Sequence, residues 1–136
     1  MERDMLEYTI NRLAESLQEH ASLLREASRY AYLAETLPRD PSVASRVAEI
    51  LESLRGLRER LLEDAQSLLD SLELAGEEEM DDINALAGYY LVAGYREEME
   101  FLSSASKVVD VSRDLEEAEE LASVFSRLAG GFKPRR

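Results

Sequence analysis

The residues best suited to chemistry in this sequence are carboxylates placed one helical turn apart. Glu97 and Glu100 are separated by three positions, as are Glu49 and Glu52 earlier in the chain. Residues at that spacing share one face of a helix. Carboxylates on facing helices can bind Mg²⁺ or Mn²⁺, because both ions prefer oxygen ligands. A hydrolase of nucleotides or RNA could use such an ion to activate water and neutralise phosphate charge.

A second set of acids extends this pattern. Glu49-x-x-Glu52 followed by Glu78-x-x-Asp81 is similar to the spacing in the all-α nucleoside triphosphate pyrophosphatases. The resemblance covers eight positions and implies magnesium held against a triphosphate. With 29 acidic residues in the chain, however, such spacing is expected by chance. Glu78 and Asp81 also lie at a predicted helix start, where negative charge is favourable, and we favour that interpretation.

Residues 94–100, GYREEME, resemble the carboxylate-bearing helix of translin-type proteins, an all-α family that binds or cleaves RNA. Glu97 follows Gly94 by three positions, so a buried Gly94 would place Glu97 near the core. A buried carboxylate needs a cation or hydrogen bonds. We therefore expect a salt-bridged Glu97 rather than a catalytic one. Three arginines are candidate partners: Arg29, Arg55 and Arg58.

The single histidine, His20, lies seven residues from both Leu13 and Ala27, on the apolar seam of the first predicted helix. Histidine can act as a metal ligand or general base. A ferritin-like di-metal site needs Glu-x-x-His on two helices. Leu17 stands where that glutamate should be, and no second histidine exists, so this class is excluded. We expect His20 to have a polar partner from the second helix.

Aromatic and basic residues give no clear binding surface. Base-stacking platforms combine aromatics with basic residues, and Tyr89 and Tyr90 have no basic neighbours. We expect these tyrosines in the core, with their hydroxyls reaching its boundary. Arg55, Arg58 and Arg60 form a local basic cluster among acidic residues. That cluster predicts a solvated salt-bridge face.

Four helices are predicted to position these residues. Apolar residues recur at steps of three, four and seven over 2–37 and again from 43 to about 75. Prolines 38 and 41 separate the two segments, which predicts a helical hairpin with arms of about 50 Å. A third helix starts at 77–79 and fades near 108. The last begins at Asp110 or Ser112 and ends at glycines 130 and 131.

The third helix is the most apolar of the four. From Ala85 to Tyr95 there is no charged or amide side chain, so this helix is expected to be buried on most sides. Gly88 and Gly94 lie within it. Glycine costs helix stability, so both predict a close approach of a neighbour to the backbone.

The predicted fold class is all-α: an antiparallel four-helix bundle built on a long helical hairpin, with a largely buried third helix. Residues 1–131 are expected to form a single domain, and 132–136 a flexible basic tail. The hairpin outreaches the short last helix, so apolar surface near its far end would lack a cover. A dimer would supply that cover.

Composition limits the function further. The net charge of −13 disfavours nucleic acid as a partner. No cysteine is present, the first residues do not resemble a signal peptide, and no apolar run is long enough to span a bilayer, so a cytoplasmic protein is expected. Arginine excess and few amides fit a thermophile as well as a GC-rich genome.

The sequence favours a non-enzymatic helical interaction or assembly protein without a cofactor. Self-association, as a dimer, is the expected partnership, and a separate protein partner is left open. The alternative is a hydrolase dependent on Mg²⁺ or Mn²⁺. Its catalytic residues would be Glu97 and Glu100, and its metal ligands would include Glu49 and Glu52 as well.

Overall fold

Helices account for nearly all of residues 3–130, which are the residues that this computed structural model describes. They are α1 (Arg3–Thr36), α2 (Pro41–Asp70), α3 (Glu77–Tyr89), α4 (Tyr95–Ala105) and α5 (Ser112–Gly130). A short 3₁₀ turn (Leu72–Leu74) follows α2, and a π-helical segment (Tyr90–Gly94) joins α3 to α4. No strand occurs between residues 3 and 130, so the predicted all-α class is confirmed. The predicted tail lies outside the described residues.

The first two helices form the predicted hairpin. Asp40 caps α2 by accepting a hydrogen bond from the Ser42 amide at 2.9 Å, and Pro41 follows at the first helical position. The Ser42 hydroxyl and amide lower the pKa of Asp40 below its ordinary value. Along the hairpin, Arg12 pairs with Asp64, whereas Arg60 pairs with Glu19. The paired residue on α2 moves from 64 to 60 as the paired residue on α1 moves from 12 to 19, so the two helices run in opposite directions.

The third and fourth helices form one continuous rod, residues 77–105, which we call the third rod. Tyr90 and Gly94 keep right-handed helical backbone angles at the two junctions. The Tyr95 amide donates to the Tyr90 carbonyl five residues back, which is the π-helical pattern. At the other end, α2 stops at Asp70 rather than near residue 75. Gly76 instead precedes α3, where its amide donates to Glu79 at 2.6 Å.

The helices are arranged as two hairpins packed side by side. The third rod and α5 form the second hairpin, because a short connection joins them and Tyr90 stacks on Phe125. Helix α1 packs against α2 and the third rod, and α5 packs against the same two. Arg55 pairs with Asp114 and Arg58 with Glu117, so α2 and α5 run in the same direction.

The core contains two apolar clusters. One lies near the start of α1, the end of α2 and the first half of the third rod, and the other lies toward the opposite end of the bundle. Ala34, Val43 and Val47, at the far end of the first hairpin, are buried in the second cluster. The inner face of that end is therefore covered, but Tyr32 and Leu37 are 67% and 49% exposed there, so the expected uncovered apolar surface is found in part. The third rod is longer than α5, and its last turns cover that inner face.

The third rod is buried along its inner face only. Ile83, Ala87 and Tyr90 have no exposed surface, whereas Val92 is 73% exposed and Tyr89 is 39% exposed. The third helix was predicted to be buried on most sides, but only the inner face of the rod is buried. The rod packs mainly against α1 and α5, and its outer face is open to solvent at Val92.

The length and apolar content of a helix decide whether it can span a membrane. None of the helices within residues 3–130 is both long and apolar enough to cross a bilayer. All have charged residues on their outer faces.

Candidate functional site

Each helix of the two hairpins contributes one polar residue to a layer in the core. The residues are His20 from α1, Arg58 from α2, Glu98 from α4 and Asp114 from α5. Arg58 is 3% exposed, and the other three have no exposed surface. We call these four residues the buried polar layer. On α1, α2 and the third rod, it lies between the segments that form the two apolar clusters.

The helical period explains why these residues point inward. Each stands three or four positions from buried neighbours on both sides, so it occupies the seam of its own helix. On α1 and α2 the neighbours are leucines, whereas on the third rod one is Gly94, and on α5 they are Val111 and Ala118. A polar residue in a seam costs stability unless it finds partners.

Glu98 uses both carboxylate oxygens. His20 Nε2 lies 2.8 Å from Oε1, and Arg58 Nε lies 2.5 Å from Oε2. A carboxylate only accepts hydrogen bonds, so His20 donates through Nε2. Glu98 thereby links α1, α2 and the third rod.

Asp114 is contacted by both Arg55 and Arg58. Arg55 binds it through two atoms, with Nε 3.1 Å from Oδ1 and Nη2 2.9 Å from Oδ2. Such forked arginine–carboxylate pairs are among the strong hydrogen bonds of proteins. Arg58 Nη2 is 2.9 Å from Asp114 Oδ1, but its geometry is that of an ion pair without a hydrogen bond.

The charges of this cluster compensate one another. Arg55 and Arg58 carry two positive charges, opposite the negative charges of Glu98 and Asp114. Burial lowers the pKa of Arg58, but the charge and hydrogen bond of Glu98, with the charge of Asp114, outweigh it and raise the pKa above its ordinary value. The Asp114 hydrogen bond likewise raises the pKa of Arg55. The arginines therefore stay charged, as the buried carboxylates require.

The cluster reaches solvent between α2 and α5. Arg58 Nη1 donates to Glu117 at 2.7 Å, and Arg113 donates to the other oxygen of Glu117 at 2.7 Å. The Glu117 side chain is 31% exposed and that of Arg113 is 68% exposed. Every carboxylate of the cluster thus has an arginine partner.

Besides Arg58 Nη2, two buried polar atoms in or beside the layer lack a hydrogen-bond partner among the described residues: His20 Nδ1 and the Tyr90 hydroxyl. Burial, followed by the charge of Glu98, raises the pKa of Tyr90. The Tyr90 ring stacks on Phe125, with 4.5 Å between centroids.

Gly94 packs against the Tyr90 ring. A Cβ atom at position 94 would lie 3.0 Å from Tyr90 Cδ1. That ring belongs to the same rod, and the nearest atom of another helix, His20 Cε1, would lie 3.7 Å from the Cβ atom, an ordinary contact. A neighbouring helix therefore contacts position 94 without unusually close approach, and Gly88 has no neighbour within 4 Å.

The carboxylates singled out in the sequence lie elsewhere. Glu97 is half-buried and Glu100 is exposed, and both line a shallow groove between α1 and α4 that also contains Arg25. On α2, the side chains of Glu49 and Glu52 are 67% and 73% exposed, and each pairs with an arginine of its own helix. The two pairs are not brought together. Within residues 3–130, no group of three or more potential ligand residues could hold a metal ion.

Three expectations are corrected by the buried polar layer. The buried carboxylate is Glu98, not Glu97, because the seam continues four positions beyond Gly94 rather than three. The partner of His20 is that same Glu98 from the third rod, not a residue of α2. Arg58 is buried and central, rather than part of a solvated face.

Asp114 was missed by sequence reasoning. It stands in the first turn of α5, where acidic residues are common because they favour the helix dipole. The available signal was its spacing, three residues after Val111 and four before Ala118 on the apolar face. Asp110, two residues before the start of α5, accepts a hydrogen bond from the Ser112 amide at 3.0 Å.

The outer face of the third rod has the opposite character. Ala85, Tyr89 and Val92 are all exposed and follow one another at steps of four and three. We call these three residues the apolar stripe. Asp82 precedes the stripe and Arg96 follows it, and both are exposed. Beside it runs a groove of about 540 Å³ whose apolar lining includes Ala14, Leu17, Ala21, Leu86 and Tyr89.

Together, these features define an all-α bundle of two hairpins with a charged layer in its core and an apolar stripe on its surface. No family model, no curated protein and no solved structure matches the chain. The function must therefore be argued from the residues themselves.

Proposed function

We propose that this protein is a non-enzymatic helical assembly protein that associates with a second copy of itself through the apolar stripe. The observation that carries the proposal is the exposure of Val92, at 73%, next to Tyr89 and Ala85 on one helical face. A contiguous exposed apolar surface commonly marks an interaction site. Tyrosine at its centre fits this role, because aromatic residues are enriched in protein interfaces.

The fold itself does not require an apolar residue at these positions. The inner face of the third rod already buries Ile83, Ala87 and Tyr90 against α1 and α5. A helix packed on one side normally has charged or polar residues on the other. The apolar outer face is therefore in excess of what folding of one chain needs.

The neighbouring groove supports close approach of a partner. The rod side is lined by Leu86 and Tyr89, and the α1 side includes the small residues Ala14 and Ala21 together with Leu17, Gln18, Ser22 and Arg25. Small residues allow a second helix to approach the backbone, while the larger ones provide apolar area. Tyr89 belongs both to the stripe and to the lining of this groove.

The paired state of the charged residues supports a non-enzymatic role. The carboxylates of the buried polar layer bind arginine, and Glu49 and Glu52 are exposed and each pair with an arginine of their own helix. No contact among the described residues favours the alternative hydrolase with Mg²⁺ or Mn²⁺. The cytoplasmic location, the single domain and a separate protein partner stay predictions.

The test is the concentration dependence of the mass in solution. We expect sedimentation equilibrium to show the wild-type chain passing from monomer to dimer as concentration rises, and Val92→Glu to stay monomeric. Thermal unfolding of dilute monomer should change little, since substitutions at exposed sites usually alter stability by at most about 0.5 kcal/mol.

The matched control is Tyr32→Glu. Tyr32 is 67% exposed on α1, away from the stripe, so this variant should dimerise like the wild type. A wild-type chain that stays monomeric at all concentrations would refute self-association. Equal weakening by both substitutions would show that the stripe is not the contact.

A further inference from the structure

The π-helical segment widens one turn of the third rod. The Tyr95 amide donates to the Tyr90 carbonyl five residues back, whereas an α-helix joins residues that are four apart. The wide turn therefore holds one residue more than an α-helical turn does. Right-handed helical backbone continues through both junctions, into α3 on one side and α4 on the other. The rod thus contains one extra residue at this point.

The inward-facing residues of the rod show the same extra residue. Glu98 lies eight positions after Tyr90, and neither side chain has exposed surface. Two turns of α-helix take about 7.2 residues, so in a regular helix the seventh position, Glu97, would lie closer to the face of Tyr90. The π turn therefore explains why Glu98, rather than Glu97, reaches His20 and Arg58.

Val92 is the outermost residue of the wide turn. Tyr90 and Gly94, which bound the turn, are buried, and the residues next to them are partly buried. Val92, at the centre, is 73% exposed, the highest value among the large apolar side chains of residues 4–130. It belongs to neither apolar cluster of the core. The extra residue therefore adds to the apolar stripe and not to the core.

We propose that Val92 is an extra residue of the third rod, which serves association and which the fold of one chain does not need. This inference rests on the proposed function, and it adds a reason for the π-helical segment. Turns of this kind are rare and are frequently found at functional sites. In this rod the function is the presentation of an apolar side chain to the second copy.

Removal of Val92 would convert the wide turn into an α-helical one. The Tyr95 amide would then lie four residues from the Tyr90 carbonyl, so the same two atoms would form an ordinary α-helical hydrogen bond. Glu98 would follow Tyr90 by seven positions, which is close to two turns, and would keep its inward direction. The buried polar layer should therefore stay paired.

Deletion of Val92 tests the inference. We expect dilute monomers of this variant to unfold within about 3 °C of the wild-type midpoint, or above it. Circular dichroism should show the helix content of the wild type. Sedimentation equilibrium should find the variant monomeric at concentrations where the wild type dimerises.

Deletion of Gln18 is the matched control. Gln18 is also exposed, but it lies in regular α-helix, between the buried Leu17 and His20 of α1. Its loss turns one half of α1 by about 100° relative to the other half, so buried leucines leave the core. We expect the unfolding midpoint to fall by at least about 10 °C.

The outcomes separate this inference from the proposed function. A midpoint of the Val92 deletion that falls toward that of the Gln18 deletion would overturn the inference, because the fold would then need the residue. A folded Val92 deletion that dimerises like the wild type would overturn it as well. In both cases a monomeric Val92→Glu would leave the proposed function standing. A wild type that stays monomeric would overturn the proposed function and the role of Val92 in association.

Discussion

The buried polar layer and the apolar stripe reverse the usual distribution of residues. Charged side chains normally face water and apolar ones the interior. In the third rod, Glu98 points into the core with no exposed surface, while Val92, six positions earlier, is 73% exposed. Neither arrangement is what would stabilise the isolated bundle most. The two regions therefore point to requirements other than the stability of one chain.

The layer constrains how the two hairpins fit together. Glu98 binds His20 of α1 and Arg58 of α2, so it ties the third rod to both helices of the first hairpin. Arg58 and Arg55 reach across to Asp114 of α5. A shift of one helix by a turn would leave charges buried without partners, a penalty that a purely apolar core does not impose. The stripe, in contrast, sets no constraint within one chain.

The largest expected effect follows from breaking the layer. Arg58→Met leaves Glu98 and Asp114 buried without their shared cation, and removing one partner of a buried ion pair typically costs about 3–5 kcal/mol. We expect the free energy of unfolding, measured by urea denaturation, to fall by that amount.

Arg60→Met is the control for that measurement. It removes an exposed pair with Glu19, whose two side chains are 49% and 56% exposed, and such pairs contribute about 0–1 kcal/mol. Similar losses for both variants would show that the layer is no more important than a surface ion pair. The contrast with the apolar stripe, where substitution should affect association and not folding, would then disappear.

Much of the fold could be predicted because it depends on local signals. The helical period, the prolines and Asp40 locate the α1–α2 hairpin, and the same period locates α5. The boundary between α2 and α3 was less accurate, because Gly76 can end one helix or precede the next and the sequence does not distinguish these roles. The π-helical segment has no such local signal.

The buried polar layer could not be predicted because its members look ordinary when taken singly. Arg58 stands among acids, as surface arginines do, and Asp114 stands at a helix start. Their role becomes visible only when the seams of four helices are brought to one level, which requires the order of helices round the bundle. The burial predicted for the residues of the apolar stripe was wrong for a related reason. An apolar helix face can be covered by the same chain or by another one.

A smaller effect separates the two neighbouring glutamates. We expect Glu98→Gln to lower the free energy of unfolding by about 2 kcal/mol, because it weakens charge-assisted hydrogen bonds to His20 and Arg58. Glu97→Gln should change stability by at most about 0.5 kcal/mol, since Glu97 is only half-buried and serves as the isosteric control. A larger loss of stability for Glu97→Gln than for Glu98→Gln would instead support Glu97 as the buried carboxylate, as the sequence predicted.

The smallest effect has the opposite sign. The Tyr90 hydroxyl is buried without a partner among the described residues, and an unsatisfied buried group costs about 1–3 kcal/mol. Tyr90→Phe removes the hydroxyl and keeps the ring against Phe125. We therefore expect the free energy of unfolding at neutral pH to rise by about 1 kcal/mol. A clear loss of stability instead would mean that the hydroxyl has a partner, such as a bound water.

The same substitution predicts a change in alkaline stability. Burial and the charge of Glu98 raise the pKa of Tyr90 above its ordinary value of 10.0. Above pH 10, the unfolded chain releases this proton and the folded chain does not, so unfolding becomes more favourable as pH rises. Tyr90→Phe should lose that part of the alkaline decline, whereas Tyr89→Phe, at an exposed position, should retain it. Equal slopes for all three chains would place the Tyr90 hydroxyl in contact with solvent and weaken the contrast between a closed core and an open stripe.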